Sequence, residues 1–343
     1  LSFLIVLVNA SLFSALLERN WKNLALNSAL ILVVFGGLFA YGNYKLTSPS
    51  LNGEPNFKVA LIQPNINYFS AKYNAFSSLD LIDRLTTRAN LENPDLIVWP
   101  ENVVKGMSLS DQPTLNKLAR LVIKYRKYLI YGKPFTFDGG GKSKTLVTAF
   151  FITPKGETAG YASKMHLVPL ADTGIYLPFI KLTRGKLSYE PGSELNLFQT
   201  PRGKFSVSIC FDSLFPELVN RMIKTGAQFM VSIADDSFSN SPSEHYQHAS
   251  MLLFRSVENR IYYVRAANSG VTMAIDPCGR IIKSLPIFTP GYLVVDIGTK
   301  RGKTFYSEYG DVVGYFSFIF VFGLSLVALG LGFESLGRKP PEK

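Results

Sequence analysis

Lys204-Phe205-Ser206-Val207-Ser208-Ile209-Cys210-Phe211-Asp212 is an alternating run, apolar at Phe205, Val207 and Ile209. It reads as a short strand with one buried face. The strand delivers a cysteine to its end, and Asp212 and Ser213 then read as the cap of a helix through Met222. At a strand-to-helix corner a nucleophile can stand clear of its scaffold while the following backbone N–H groups face an oxyanion. Most lone cysteines are instead small buried hydrophobes, and position alone leaves that reading ahead. Two further segments change the balance: Trp99-Pro100-Glu101 and Ser163-Lys164-Met165-His166.

Outward from this strand, others of the same kind recur. Phe57 to Gln63 and Asp95 to Trp99 precede it, with strands at 128–133 and 145–153. Further strands are predicted near 228–233, 262–267, 271–276 and 292–297. Helical patterns fall at about 75–90, 112–127, 213–225 and 243–260. Strands and helices interleave throughout, which predicts one α/β domain over residues 46–310. Asp138-Gly139-Gly140-Gly141-Lys142 lacks the spacing of a phosphate loop and reads as a flexible hairpin tip.

The ends of the chain are different. With 47% hydrophobic and 18% charged residues, and a mean hydropathy of +0.15, the 343-residue chain is too apolar for an ordinary soluble protein. The 22 residues between Lys22 and Lys45 carry no charge, nor do the 22 between Asp311 and Glu334. Roughly 20 apolar residues cross a bilayer core, so residues 1–45 and 311–343 are predicted to carry membrane helices. Residues 1–17 are also uncharged, which reads as a truncated helix with further spans expected upstream; no basic n-region or cleavage site supports a signal peptide. Arg19 and Lys22, with Arg338, Lys339 and Lys343, place both ends in the cytoplasm and the domain outside it. The net charge of +11 fits a domain resting on an anionic bilayer. No recognition motif for nucleic acid accompanies that charge. The two cysteines, Cys210 at a strand end and Cys278 in the turn Asp276-Pro277-Cys278-Gly279, are not expected to pair.

Three segments share one form, an extended run ending in a reactive residue: Glu101, Lys164 and Cys210. A thiol needs a base to become a thiolate, and a carboxylate in a dry pocket can serve. A lysine beside both would stabilise a tetrahedral oxyanion during acyl transfer. His166, His245 and His248 have no carboxylate or cysteine at metal-ligand spacing; His245 and His248, three apart, read as polar surface or pocket lining.

The order Glu101, Lys164, Cys210 in these segments resembles the nitrilase superfamily. With membrane flanks, it resembles the apolipoprotein N-acyltransferases. The resemblance runs through Leu61-Ile62-Gln63-Pro64-Asn65, Lys164-Met165-His166-Leu167-Val168-Pro169, Gln247-His248, Arg255 to Arg260, Arg265 to Gly270 and Ile275 to Arg280. It implies an α-β-β-α sandwich inserted between transmembrane helices, with Glu101 as base, Lys164 as oxyanion stabiliser and Cys210 as nucleophile. Asp172, eight residues past the lysine, would be the supporting acid. Phe211, Asp212, Phe238 and His248 are candidate substrate-binding residues. The chain departs from the family pattern at Phe211-Asp212, at Asp172, at Asn102 and over Asp235 to Ser239. An acid shortened by one methylene withdraws its carboxylate by roughly an ångström, a displacement that matters for rate. The resemblance further implies a phospholipid acyl donor and a diacylglyceryl apolipoprotein as acceptor. It implies a monomer in the bacterial inner membrane, with no metal or cofactor. The hydrophobic run Ile175 to Ile180 would line a lipid-facing mouth. A membrane-tethered amidase and a non-catalytic lipid-binding paralogue are the rival readings.

Overall fold

The uncharged stretch after Lys22 winds into a single helix. The structure, a computed structural model, describes residues 2–18, 21–47, 54–67, 70, 74–102, 112–139, 142–169, 172–173, 175–177, 180–182, 189–299 and 304–337. The chain divides into two units, Leu1–Leu51 and Asn52–Lys343. The first consists of α1 (Ser2–Glu18) and α2 (Trp21–Thr47), which pack on each other. Within α2, Ala25–Thr47 is long and apolar enough to cross a membrane.

In the second unit, β1 (Phe57–Gln63), α3 (Ala75–Asn90), β2 (Leu96–Val98), α4 (Gln112–Lys124), β3 (Tyr128–Gly139), β4 (Lys142–Ile152) and β5 (Thr158–Ser163) come first. A small hairpin follows, β6 (Ile175–Leu177) with β7 (Ile180–Leu182), then β8 (Phe198–Thr200) and β9 (Gly203–Ile209). A 3-10 turn, Cys210–Leu214, precedes α5 (Pro216–Lys224), β10 (Phe229–Ala234), α6 (Pro242–Asn259), β11 (Tyr262–Ala267), β12 (Met273–Ile275), β13 (Ile281–Ser284) and β14 (Gly291–Ile297). Last come α7 (Phe305–Tyr309) and α8 (Val312–Gly337), of which Val312–Leu329 is long and apolar enough to span a bilayer.

Two six-stranded sheets form, ordered β14-β1-β2-β3-β4-β5 and β13-β12-β11-β10-β9-β8. Their central strands are apolar on both faces, as strands covered on both sides must be. Phe57, Val59 and Leu61 of β1 meet Phe205, Val207 and Ile209 of β9 and Phe229 and Val231 of β10 in a core between the sheets. The alternate residues Ala60 and Ile62 face α3 and α4, with Ile82 and Leu118. Met230 and Tyr263 face α5 and α6, with Leu218 and Leu252. These three cores separate four layers, giving the expected α-β-β-α sandwich. Phe57 lies 4.8 Å from Phe229, centroid to centroid, across the seam, and burying each such ring is worth about 1.5–3 kcal/mol.

Topology then fixes where chemistry can sit. β1, β2 and β3 are parallel, as are β9, β10 and β11. Two antiparallel steps through β4 return β5 to the direction of β3. Glu101, Lys164, Cys210, Asp235 and Asn268 therefore all follow carboxyl ends of co-directed strands, the edge where α/β folds place ligands.

Several predicted elements are corrected. Asp212 and Ser213 do not cap α5; Phe215 precedes it and Pro216 is its first residue, a position proline favours. The strand at 128–133 continues to Gly139 as one arm of a long hairpin with β4. The strand at 271–276 shrinks to Met273–Ile275. The hairpin tip at 140–141 and part of the Ile175 to Ile180 run lie outside the described residues.

Candidate active site

Cys210 sits just past β9 with φ of 50°, a left-handed backbone that is costly for a residue with a Cβ. The turn is pinned from three sides: Ser213 Oγ donates to the Cys210 carbonyl at 2.8 Å, the His248 ring nitrogen Nε2 approaches it at 3.3 Å, and Asp212 accepts from Ile209 N at 3.2 Å. Asp212, buried, also accepts from Met165 N at 3.0 Å and His166 N at 2.7 Å. It ties the cysteine turn to the lysine loop; substrate binding was the role expected for it. Of the other three candidates, Phe238 is exposed, Phe211 is half-buried, and His248 is committed to Asp236 at 3.0 Å.

Glu101 and Lys164 are both buried. The Lys164 ammonium is 2.7 Å from Asp172 Oδ2 and 3.7 Å from Glu101 Oε1. Asp172 is held by Val168 N at 2.8 Å, and Glu101 by Asp235 N at 3.0 Å. Two glycines give these groups their room. A Cβ on Gly132 would lie 2.8 Å from the Glu101 Cα, and one on Gly192 would lie 2.7 Å from Ser163 Cβ. The Gly192 amide reaches the Lys164 carbonyl at 2.7 Å.

Electrostatics set the resting state. Burial raises the Glu101 carboxyl; Lys164 opposes this and Asp235 and Asp172 add to it, leaving the group at about 7. Burial also pushes the Cys210 thiol well above its usual range, against the pull of Lys164. Burial alone would lower Lys164, but Cys210, Glu101 and Asp172 outweigh it and hold the ammonium charged. A protonated thiol thus lies in the same field as a carboxylate poised near neutrality and a permanent cation, which is the equipment for nucleophilic acyl transfer.

Behind the cysteine lies a second buried network that the sequence did not reveal. Asp236 accepts from Arg265 Nη2 at 2.7 Å and contacts His248 at 3.0 Å. His245 is fully buried, its Nδ1 3.8 Å from Asp236, and not on the polar surface. Burial would raise the Asp236 carboxyl, yet Arg265, His245 and His248 hold it well below the usual carboxylate range. Donor atoms of Cys210, Asp236 and His248 come within 4.8 Å of one another. The Arg265 guanidinium already supplies the cation there, so this set does not fit a metal. An arginine inside the wholly buried run Tyr262–Ala267 was the available signal, because arginine is rarely buried without a partner.

The sequence profile described as carbon-nitrogen hydrolase matches residues 58–304. Apolipoprotein N-acyltransferase of Geobacter metallireducens is 34% identical over 96% of this chain and 64% of that protein. Apolipoprotein N-acyltransferase 2 of Treponema denticola is 30% identical over 95% of this chain and 67% of its own length. The chain thus spans about two thirds of these curated relatives. Among solved structures, an amidase from Nesterenkonia sp. superposes with a TM-score of 0.57 at 21% identity, over 79% of this chain and 100% of that one. Saccharomyces cerevisiae Nit3 does so with a TM-score of 0.55 at 20% identity, over 71% of this chain and 90% of its own. At such identity these two speak for the fold.

Proposed function

Because the chain belongs to the carbon–nitrogen hydrolase family, on the branch of the apolipoprotein N-acyltransferases, we propose that it moves a fatty acyl chain from a phospholipid to the N-terminal amine of a diacylglyceryl-cysteine. Glu101 takes the Cys210 proton, and the thiolate attacks the ester carbonyl. Lys164 faces the oxyanion of the tetrahedral intermediate. The carbon–oxygen bond then breaks, Glu101 returns its proton to the departing lysophospholipid oxygen, and a thioester remains. In the second half-reaction the amine attacks the thioester, its proton passes to Glu101, and the carbon–sulfur bond breaks. Asp172, paired with the ammonium, positions the lysine loop and assists the incoming amine in this second half.

The observation that carries this reading is the meeting of Glu101, Asp172 and Cys210 around one buried ammonium, on a chain whose α8 is long and apolar enough to enter a bilayer. The apolipoprotein N-acyltransferase relatives support an amine, and not bulk water, as acceptor. The basic residues Arg19, Lys22, Arg338, Lys339 and Lys343 support an extracytoplasmic domain on the inner membrane. The test is intact-mass analysis of the full chain mixed with phospholipid. An acyl adduct on Cys210 that leaves when a diacylglyceryl lipopeptide is added is the expected result. No adduct, or loss of the adduct to water as fast as to lipopeptide, would overturn the reading.

A further inference from the structure

Cys210 and the chain's route to α8 lie at opposite edges of the sandwich. β14 ends at Ile297, opposite Phe57 at the start of β1, whereas Glu101 and Cys210 follow the carboxyl ends of their strands. A strand of 7 residues such as β1 is about 23 Å long at 3.3 Å per residue. A sandwich standing on the edge that leads to α8 would hold its nucleophile about that far above the bilayer. A sandwich lying on one face would not, and α6 provides the face.

α6 runs between the two edges. At one end the His248 ring nitrogen Nε2 is 3.3 Å from the Cys210 carbonyl, and at the other the Glu258 carbonyl accepts from Thr304 Oγ1 at 2.8 Å. From Tyr246 onward the exposed residues of α6 are Tyr246, Gln247, Met251, Phe254 and Val257, and none is charged. Tyr246 and Phe254 are 56% and 58% exposed. The other helices on the sandwich differ: α3 and α4 expose Asp80, Arg84, Arg88 and Arg120, and α5 exposes Glu217, Arg221 and Lys224. The outer face of a surface helix is ordinarily polar, and a contiguous apolar patch marks a surface that something covers. This patch widens over β13, where Ile281 and Ile282 are exposed, across a groove of about 470 Å³ lined by Tyr246, Leu253, Met273 and Leu285.

The continuation of the patch identifies the cover. α7 packs against α5 and α6 and exposes Phe305 and Tyr309, and the apolar α8 follows at Val312. Aromatic rings beside a span settle at headgroup level. Cations stand at the same end: Lys224 Nζ donates to the Glu308 carbonyl at 3.1 Å, and Arg260 closes α6. They suit anionic headgroups. We infer that α6 lies in the bilayer surface with its uncharged face against lipid, so that the sandwich rests on its side and Cys210 stands close to the headgroups. An interfacial helix sinks its apolar face about 5–10 Å into the headgroup boundary. At 1.5 Å per residue, the 18 residues of α6 carry the nucleophile about 27 Å sideways from the entry of α8, not upward from it. This placement requires α8 to span a bilayer; it does not require Cys210 to accept an acyl chain.

The experiment uses the full chain in vesicles of phosphatidylethanolamine and phosphatidylglycerol. The photocrosslinker p-benzoylphenylalanine replaces one exposed residue at a time, and adducts are read by intact mass. Replacing Tyr246 or Phe254 is expected to give an adduct of one phospholipid, about tenfold above the yield at Arg84 of α3 and comparable with that at Phe318 of α8. A chain-to-chain adduct at Phe254 would show that a second copy covers the face and would overturn the inference. A lipid yield at Tyr246 and Phe254 no higher than at Arg84, with Phe318 reacting, would also overturn it. Loss of the Phe318 adduct as well would remove the span on which the placement depends. All four side chains are exposed, and an unchanged rate of Cys210 alkylation by iodoacetamide confirms that each variant is folded. No outcome depends on acyl transfer, so the placement of α6 and the proposed reaction fail separately.

Discussion

Glu101 and Asp172 share one ammonium from opposite sides, yet their surroundings separate them. Glu101 is buried with its carboxyl raised to about 7 and lies in the field of the thiol. Asp172 is more exposed, accepts from Val168 N and sits closest to the Lys164 nitrogen. Glu101→Gln, isosteric but without basicity, is therefore expected to slow formation of the Cys210 adduct by about 10²–10⁴-fold. Asp172→Asn should let the adduct form while slowing its transfer to the acceptor, and Asp172→Glu should be tolerated. Adduct mass over time, with and without lipopeptide, distinguishes the two. If Asp172→Asn blocked the adduct and Glu101→Gln did not, the two acids would have to exchange roles. At this scale the sequence was legible where a strand ends in a reactive residue, as at Glu101 and Cys210. It did not reveal the contacts of Asp235, Asp236 and Arg265, because that between Asp236 and Arg265 joins residues 29 apart and that between Asp235 and Glu101 joins residues 134 apart. No local pattern marks such pairs.

Elements were legible where their period was strong. The apolar face of α3, Leu79, Ile82, Leu85 and Ala89, recurs at helical spacing, and the helix begins at an Asn74 cap that accepts from Ser77 N. β5 went unseen because Thr158–Ser163 is mostly exposed and shows no apolar alternation, as an edge strand is free to do. The start of α5 was misplaced because an aspartate near a helix reads as its cap, whereas the Asp212 carboxylate turns inward to Met165, His166 and Ile209. Strand packing also yields a test. β3 passes so close behind β2 that a methyl on Gly132 would meet the Glu101 Cα at 2.8 Å and Ile233 Cδ1 at 2.9 Å. Backbone cannot yield as a side chain can, so Gly132→Ala should cost about 1–3 kcal/mol of stability. It should also lower the rate of Cys210 acylation by about 10²-fold. Melting temperature and adduct rate measure the two separately. A variant that melts lower but acylates normally would show that Glu101 is not held from behind.

For the whole molecule, orientation is the open variable that charge addresses. A reporter joined after Lys343 is expected on the cytoplasmic side, and a cysteine introduced in the 48–53 segment should be labelled in intact cells by an impermeant maleimide. Labelling only after lysis would reverse the topology and remove the lipoprotein from reach. The α/β class was readable from the interleaving of strands and helices, and the four layers followed from the family resemblance, but the division of twelve strands between two facing six-stranded sheets was not readable. Which apolar face meets which is decided by packing between distant segments. One pairing has a further consequence. β1 opens the sandwich, yet its antiparallel neighbour is β14, with Phe57 opposite Ile297. Every ribosome making this chain must therefore hold the first strand with a bare edge until nearly the last residue of the domain has emerged. Pairing across so long a loop is slow to nucleate, and an open edge invites the wrong neighbour. Until β14 arrives, a nascent chain carries its thiol in an unfinished sandwich.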